Sequence, residues 1–230
     1  MFIYNDFKMY VLAGNYEKAK SMLSDAELDA ETFGAVSNVS MFLSLVFRYP
    51  EEDVYDTLND NWEAFADFIS DYSDSKITLY DHTEMESDYI KLFEQDMDGN
   101  KIVPYISFYT EDNKMLYGES TFKIREWMAR AGFVLGEDVT ELEDHVYIVL
   151  EFISMLFKKL SEPENLESWY GSLHNLYNVL ENYGPVLADH FAAAVAKRDD
   201  MPFYRDFSVI LSGFLNDIDP IMEDVFTESK

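Results

Sequence analysis

Residues 140–160 read TELEDHVYIVLEFISMLFKKL, and this stretch decides the fold. From Val146 to Phe157, only Glu151 and Ser154 interrupt a run of apolar residues. At a rise of 1.5 Å per residue, a helix of about twenty residues is roughly 30 Å long, the width of a small domain. A helix that is apolar on nearly every side belongs inside a core. We therefore predict a central helix over 140–160, with other helices packed around it.

The start of this predicted helix carries a capping-box pattern. Thr140 stands three residues before Glu143, so the Thr140 hydroxyl can accept from the Glu143 amide while the Glu143 carboxylate reaches back to the Thr140 amide. The acid–imidazole pair Asp144 and His145 follows directly. This pattern predicts that the helix begins near Thr140.

One polar stripe runs along the predicted helix. Tyr147, Glu151, Ser154 and Lys158 are spaced four, three and four residues apart, so they share one face. A buried helix with a single polar stripe, and with an acid–imidazole pair near its start, indicates where a functional site is to be sought.

The composition indicates a folded, strongly acidic protein. The chain has 230 residues, of which 48% are hydrophobic and 16% aromatic, so it can bury a substantial core and is not disordered. A formal net charge of −28 repels nucleic acids and anionic membranes, and it favours a cationic partner. The same charge is also explained by solubility alone. The absence of cysteine excludes disulfides, thiolate metal sites and a cysteine nucleophile.

The sequence gives no sign of export or membrane insertion. The first twenty residues lack a basic region followed by a continuous apolar run, so we expect no signal peptide. No stretch reaches about eighteen apolar residues, so we expect no membrane-spanning helix. We therefore expect a soluble, cytoplasmic protein.

The rest of the chain also shows helical spacing of apolar residues. We predict an all-α fold, a single globular unit of roughly nine to eleven helices. The prediction divides it into an N-terminal helical extension (1–26), an N-terminal half (27–132), a hinge (133–143) and a C-terminal half (144–230). Helices are also predicted to stop at Gly132 and at Gly184–Pro185.

The helical period stops between residues 96 and 120. Turn residues there bracket a short aromatic run that contains Pro104. One interpretation is a β-hairpin. We favour an ordered loop lying over the helices, because a lone hairpin is marginally stable in water.

The motifs that would indicate a metal or a cofactor are incomplete or missing. Asp96, Asp98 and Asn100 resemble the start of a calcium-binding loop, but Lys101 and Ser107 stand where glycine and glutamate are required. The sequence contains no Glu-x-x-His motif, nucleophile elbow, phosphate loop or dinucleotide fingerprint. We expect no metal and no cofactor.

Two groups of residues allow both a functional and a structural interpretation. Asp144 and His145 can serve as an acid–base pair, as in a small helical hydrolase, or they can stabilise a helix start and a contact between the halves. The aromatic residues of the loop form either a docking surface for a peptide or an attachment of the loop to the core: Tyr105, Phe108, Tyr109 and Tyr117.

Several short segments carry a family resemblance. In chain order they are YIKLF at 89–93, PYISFY at 104–109, LYG at 116–118, EDH at 143–145 and LEF at 150–152. Their order, spacing and helical setting, from about residue 35 to about residue 219, resemble the TorD/DmsD family of cytoplasmic chaperones for molybdoenzymes. The chain departs from the usual family pattern at Ile106, Leu142 and Tyr183, where the family usually has an acidic residue, a proline and a tryptophan.

The resemblance implies a chaperone without enzymatic activity. Such a protein would bind the twin-arginine leader of a molybdopterin oxidoreductase, of the dimethyl sulfoxide or trimethylamine N-oxide reductase type. It would hold the apoenzyme in the cytoplasm until the enzyme's cofactor is inserted. An alternative is an assembly adaptor that docks on a folded reductase subunit, like the nitrate-reductase chaperones. We expect a monomer, or a dimer that swaps its halves about the hinge.

The resemblance and the polar stripe together predict a peptide-binding site. Asp144, and in one interpretation Glu151, would face the leader's arginines, since arginine favours bidentate pairing with carboxylates. His145 would orient Asp144. In the other interpretation Glu151 is a buried polar group that fixes the helix. The predicted peptide-binding residues are Tyr105, Ser107, Tyr109, Gly118, Asp144, His145 and Glu151.

Overall fold

The computed structural model describes residues 3–23, 29–73, 76–95 and 101–228. In these ranges the ordered elements are helices, and the one β-like feature is an isolated bridge. The α-helices are α1 (Tyr4–Leu12), α2 (Tyr16–Lys20), α3 (Ala30–Val46), α4 (Glu52–Asn61), α5 (Ala66–Tyr72), α6 (His82–Tyr89), α7 (Ile106–Thr110), α8 (Glu119–Ala131), α9 (Val146–Ser161), α10 (Leu166–Pro185), α11 (Ala193–Val195) and α12 (Pro202–Glu228).

Short 3₁₀ and π segments join some of these helices. A 3₁₀ turn (Trp62–Phe65) links α4 to α5, and a π segment (Val186–Ala192) links α10 to α11. A second π segment (Ile90–Glu94) extends α6. When continuous pieces are counted together, the described residues form ten helical rods. The predicted all-α fold of roughly nine to eleven helices is therefore confirmed.

Helix α9 is the centre of the core. Its residues from Ile148 to Leu150 are fully buried, and so are Phe152 and Phe157. It packs most extensively along α3, and it also contacts α8 and α10. Ser37 of α3 donates its hydroxyl to the Ser154 carbonyl at 2.8 Å, a contact that small side chains permit. The predicted central helix is thus confirmed.

The predicted start of the central helix is wrong. Helix α9 begins at Val146, and the Nδ1 atom of His145 caps it by accepting from the Tyr147 amide. The capping box fails because the Glu143 carboxylate pairs with Arg125 instead. The backbone of residues 144–146 hydrogen-bonds to the segment around Pro104 rather than continuing a helix.

The predicted stop at Gly184–Pro185 is also wrong. Helix α10 runs through both residues and continues into the π segment that ends at Ala192. Pro185 is the last residue of α10. The hydrogen bonds of the π segment that follows span five residues, so the pattern around the missing amide can shift. The predicted stop at Gly132 is confirmed, since Gly132 adopts φ +72° and caps α8.

The described part of the N-terminal extension packs on the common core. Phe7 of α1 is fully buried, and Lys8 forms ion pairs with Glu181 of α10 and Asp219 of α12 at 2.5 and 2.6 Å. Residues 133–143 connect α8 to α9 without a helix. The predicted division into halves with a hinge there stays a prediction. The calcium-loop pattern at 96–100 lies outside the described residues.

Candidate peptide-binding site

The candidate site lies where the segment at 104–118 meets the start of α9. The Ile106 amide donates to the Asp144 carbonyl at 3.0 Å, and the Val146 amide donates to the Pro104 carbonyl at 2.9 Å. The segment is an ordered loop and not a hairpin, as predicted, although it contains the short helix α7, which was not predicted. It is pinned to the central helix by backbone hydrogen bonds.

Asp144 joins three elements at this junction. Its side chain has no exposed surface. One carboxylate oxygen accepts from the Ser107 amide in α7 at 2.7 Å, and the other accepts from the Thr121 hydroxyl in α8 at 2.9 Å. Asp144 and Ser107 are therefore neighbours, as the predicted site requires. Direct contact between Asp144 and a ligand arginine stays a prediction, since both oxygens are engaged in this conformation.

His145 is buried and neutral. Its side chain is 3% exposed, and burial lowers the pKa of its imidazole to about 3. Its Nδ1 atom accepts from the Tyr147 amide at 3.3 Å, and its ring lies 4.8 Å from the Tyr105 ring in an edge-to-face contact. The ring therefore caps α9 rather than orienting the Asp144 carboxylate. A covered imidazole in this role is poorly placed for acid–base catalysis.

The polar stripe of α9 leads to a cluster that we name the acidic–aromatic patch: Arg48, Tyr105, Glu141, Tyr147 and Glu151. The Tyr147 hydroxyl donates to Glu141 at 3.4 Å, and the Arg48 guanidinium lies 5.4 Å from the centre of the Tyr147 ring. Burial raises the pKa of Glu151, and the positive charge of Arg48 opposes that rise. Burial, followed by the charges of Glu141 and Asp144, raises the pKa of Tyr105 to about 12. The patch combines half-buried carboxylates with aromatic rings.

Further acidic groups extend this patch. Tyr89 lies close enough that the charges of Glu141 and Glu94 add to burial in raising the pKa of its phenol. The Tyr89 ring packs edge-to-face against Tyr49, whose hydroxyl donates to Glu86 at 2.6 Å. Negative charge therefore continues from α9 towards α6, and a cationic ligand would meet a favourable potential across this face.

A second surface, the apolar loop patch, consists of Met115, Leu116, Tyr117 and Phe122. These side chains are between 43% and 60% exposed, and the Tyr117 and Phe122 rings lie 4.9 Å apart. Tyr117 has a φ of +62°, a left-handed conformation that is uncommon for an aromatic residue. Strained backbone and exposed apolar side chains coincide here, which is typical of functional segments.

An ion pair holds the apolar loop patch beside the acidic–aromatic patch. Arg125 of α8 donates to both carboxylate oxygens of Glu143, at 2.5 and 2.9 Å. Its guanidinium also lies 5.4 Å from the Tyr117 ring and 5.5 Å from the Phe122 ring. Glu143 is two residues from Glu141, which belongs to the acidic–aromatic patch, so this short segment connects the two patches.

Gly118 lies directly against the side chain of Glu111 within the loop. A Cβ atom at this position would clash with the side chain of Glu111. That carboxylate accepts from the Ser120 amide at 3.0 Å and so caps α8. Gly118 therefore lets the loop close on its cap, and contact of Gly118 with a peptide stays a prediction.

Two further predicted peptide-binding residues, Ser107 and Tyr109, pack against the fold. Ser107 is fully buried, and its hydroxyl has no hydrogen-bond partner among the described residues. Tyr109 is half-buried, and its ring stacks on His190 with a centroid separation of 6.3 Å. Tyr109 thus ties α7 to the π segment after α10.

Sequence reasoning missed several residues of the site. Thr121 holds Asp144, Arg125 holds Glu143, and Arg48 covers Tyr147. None of these contacts is local in sequence, so no spacing pattern reveals them. The four-residue spacing from Tyr147 to Glu151 predicted that these two residues share a face of α9, but it did not predict that Arg48 meets that face.

The described residues form neither a metal site nor a membrane-spanning helix. Among the residues that the structure describes, no three histidine or acidic side chains form a group that would hold a metal ion. Within the same residues, no helix combines the length and the apolar character needed to cross a bilayer.

Comparison with known proteins identifies relatives. The family model described as "Nitrate reductase delta subunit" matches residues 51–192. A chaperone protein TorD of Vibrio vulnificus (strain YJ016) is 24% identical over 166 residues, which covers 69% of this chain and 72% of the relative. A chaperone protein TorD of Vibrio atlanticus is 26% identical over 131 residues, covering 57% of this chain and 60% of the relative.

A solved structure shares the fold. It is the crystal structure of a protein from Archaeoglobus fulgidus described as a candidate redox enzyme maturation protein, with a TM-score of 0.53 and 21% sequence identity. The match covers 79% of this chain and 93% of that chain. The sequence relatives are named chaperones, in agreement with the expectation of a protein without enzymatic activity. The family resemblance seen in the sequence is therefore confirmed, and the chain belongs to the nitrate reductase delta subunit family, which includes TorD-like chaperones.

Proposed function

We propose that this protein is a cytoplasmic maturation chaperone that binds the twin-arginine leader of a molybdopterin oxidoreductase. It holds the apoenzyme back from export until the enzyme's cofactor is inserted. Its family and its TorD relatives support a role in maturation. The geometry at the start of α9 supports leader binding.

The observation that carries this proposal is that residues 141–143 connect the two patches, Glu141 through Tyr147 and Glu143 through Arg125. A twin-arginine leader has a basic end followed by an apolar segment. The acidic–aromatic patch offers carboxylates and rings, which favour guanidinium groups. The apolar loop patch offers exposed side chains whose burial contributes about 25 cal/mol per Å² before ordering costs. The acidic–aromatic patch thus matches the basic end of the leader, and the apolar loop patch matches its apolar segment.

Asp144, Ser107 and His145 have positioning roles in this proposal. Asp144 fixes α7 and α8 against the start of α9, and His145 caps α9 beneath Tyr105. Tyr105 and Glu151 are half-buried at the surface and provide direct contacts. A ligand arginine would reach Asp144 only if the loop opened.

Titration calorimetry with a synthetic leader tests the proposal. The peptide comes from a molybdopterin oxidoreductase encoded beside this chain, and its matched control has both arginines replaced by glutamine. We expect the control to bind about tenfold more weakly, and we expect raised salt to narrow that difference because exposed charges are screened. Equal binding of both peptides would contradict the charge recognition.

A second titration separates the proposal from the adaptor alternative. The folded, cofactor-loaded oxidoreductase without its leader is added to the chaperone under the same conditions. Binding of this mature enzyme without binding of the leader would support an assembly adaptor. Binding of neither, at low salt, would overturn the proposed function.

A further inference from the structure

Arg48 occupies an unusual position in the acidic–aromatic patch. It follows the end of α3 and projects its guanidinium over the ring of Tyr147, with 5.4 Å between the guanidinium carbon and the ring centre. Tyr147 is 4% exposed with Arg48 in this place. Glu151, one turn along α9, feels the positive charge of Arg48, which favours the ionised form of Glu151. The guanidinium of Arg48 therefore lies among the same groups that would attract a ligand guanidinium.

The interactions of Arg48 differ from those of other arginines in the described part of the chain. Arg125 and Arg198 each pair with both oxygens of one carboxylate. Arg48 makes no ion pair within the described residues. Its guanidinium contacts the Tyr147 ring, and its positive charge acts on Glu151. A cation–π contact at a partly exposed site is a weaker interaction than a bidentate ion pair. Arg48 is thus held weakly enough to be displaced.

We propose that Arg48 is a built-in competitor that fills the guanidinium subsite until a ligand arginine replaces it. The subsite is the face of Tyr147 flanked by Glu141 and Glu151. This inference rests on the proposed function for the identity of the ligand, an arginine of the leader. It assigns the arginine to Tyr147 and the two glutamates, rather than to the buried carboxylate of Asp144.

Competition of this kind has a defined thermodynamic effect. If the subsite is open for only a fraction of the time, the apparent dissociation constant is raised by the inverse of that fraction. An Arg48 side chain that covers Tyr147 for about four-fifths of the time would weaken the binding of a guanidinium about fivefold. Removal of Arg48 therefore strengthens binding, whereas removal of a ligand contact would weaken it.

The test compares Arg48→Gln with Arg130→Gln. Arg130 lies on α8, is exposed and pairs with Glu126, so the control changes the net charge equally. The probes are L-argininamide, a single guanidinium, and the synthetic leader. We expect Arg48→Gln to bind both probes about fivefold more tightly than the wild type, and Arg130→Gln to differ by less than about twofold.

A second readout uses the wild-type protein. The side-chain Nε signal of Arg48 is assigned by its absence from the spectrum of Arg48→Gln or, if that variant does not fold, of Arg48→Met. Addition of L-argininamide is expected to shift this signal as Arg48 leaves the Tyr147 ring. An unchanged signal at saturating probe would overturn the inference.

The outcomes separate the two proposals. Weaker or unchanged binding of both probes to Arg48→Gln, relative to Arg130→Gln, would overturn the competitor role while leaving leader binding intact. Tighter binding of L-argininamide without any binding of the leader would support the subsite and overturn the proposed function. Binding of neither probe to any variant would overturn both.

Discussion

The backbone amide of Ser107 donates to the carboxylate of Asp144 at 2.7 Å, in a place where neither side chain has exposed surface. The other carboxylate oxygen receives the Thr121 hydroxyl at 2.9 Å. Two residues that lie 37 positions apart therefore fix the loop segment to the central helix. The segment that carries Tyr105 depends on this link for its position against the start of α9.

Replacement of Asp144 should destabilise the fold. Asp144→Ala leaves the Ser107 amide and the Thr121 hydroxyl buried without a partner, so we expect a loss of about 3 kcal/mol in the free energy of unfolding. Asp144→Asn retains an acceptor and should cost less, about 1–2 kcal/mol. Urea unfolding followed by circular dichroism measures both. The control Glu137→Ala, at an exposed position, should change stability by less than about 0.5 kcal/mol. Wild-type stability of Asp144→Ala would contradict the anchoring role.

Ser107 and Ser120 should respond oppositely to the same substitution. The Ser107 hydroxyl is buried without a partner among the described residues, so Ser107→Ala should raise the free energy of unfolding by about 1 kcal/mol. The Ser120 hydroxyl donates to Glu111 at 3.1 Å, so Ser120→Ala should lower it by about 1 kcal/mol. Urea midpoints with equal slopes measure the difference. A destabilised Ser107→Ala would show that this hydroxyl has a partner.

The burial of His145 predicts a pH dependence of stability. The pKa of its imidazole is about 3 in the folded protein, against about 6.5 in the unfolded chain. Below pH 6.5 the unfolded chain takes up the proton and the folded protein does not, so stability falls as the pH drops towards 3. Between pH 7.5 and pH 5.0 the expected loss from this group is about 2 kcal/mol.

The matched variant for this experiment is His145→Asn. Asparagine keeps a side-chain acceptor for the Tyr147 amide and does not titrate in this range. Acidic groups contribute equally to both proteins, so the difference between their pH profiles isolates His145. Parallel profiles between pH 7.5 and pH 5.0 would show that the imidazole is not held neutral.

The sequence predicted the architecture better than it predicted the contacts of the site. The apolar run from Val146 to Phe157 was sufficient to identify a central helix, because burial on all sides leaves a signal in every residue. The residues at which helices begin and end were less predictable. Thr140 and Glu143 matched a capping box, but Glu143 pairs with Arg125, 18 residues away, and α9 begins at Val146.

The same reason limited the prediction of the site. The Asp144–Ser107 relationship followed from a family resemblance and not from any local spacing. Arg48 and Thr121 had no local pattern at all, since their roles arise from the packing of α3 and α8 on α9. Contacts between distant segments depend on tertiary packing, which a single sequence does not reveal.

Neutralisation of Glu151 should weaken leader binding in a salt-dependent way. Glu151→Gln keeps the shape of the side chain and removes a half-buried charge, so we expect about fivefold weaker binding of the leader at low salt. At high salt the difference from the wild type should shrink, because screening reduces the contribution of the charge. Calorimetric titrations at two salt concentrations measure this change. The control is Glu126→Gln on the exposed face of α8. Equal effects of the two variants would show that Glu151 does not contact the leader.

A polar substitution in the apolar loop patch should weaken leader binding without a change in its salt dependence. Leu116 is 43% exposed, and burial of such a side chain against an apolar ligand segment contributes about 1 kcal/mol. We therefore expect Leu116→Ser to bind the leader about fivefold more weakly at every salt concentration. The control is Val134→Ser, since Val134 is 86% exposed and lies outside both patches. An equal loss in both variants, or a loss in Leu116→Ser that disappears at high salt, would show that the leader's apolar segment binds elsewhere.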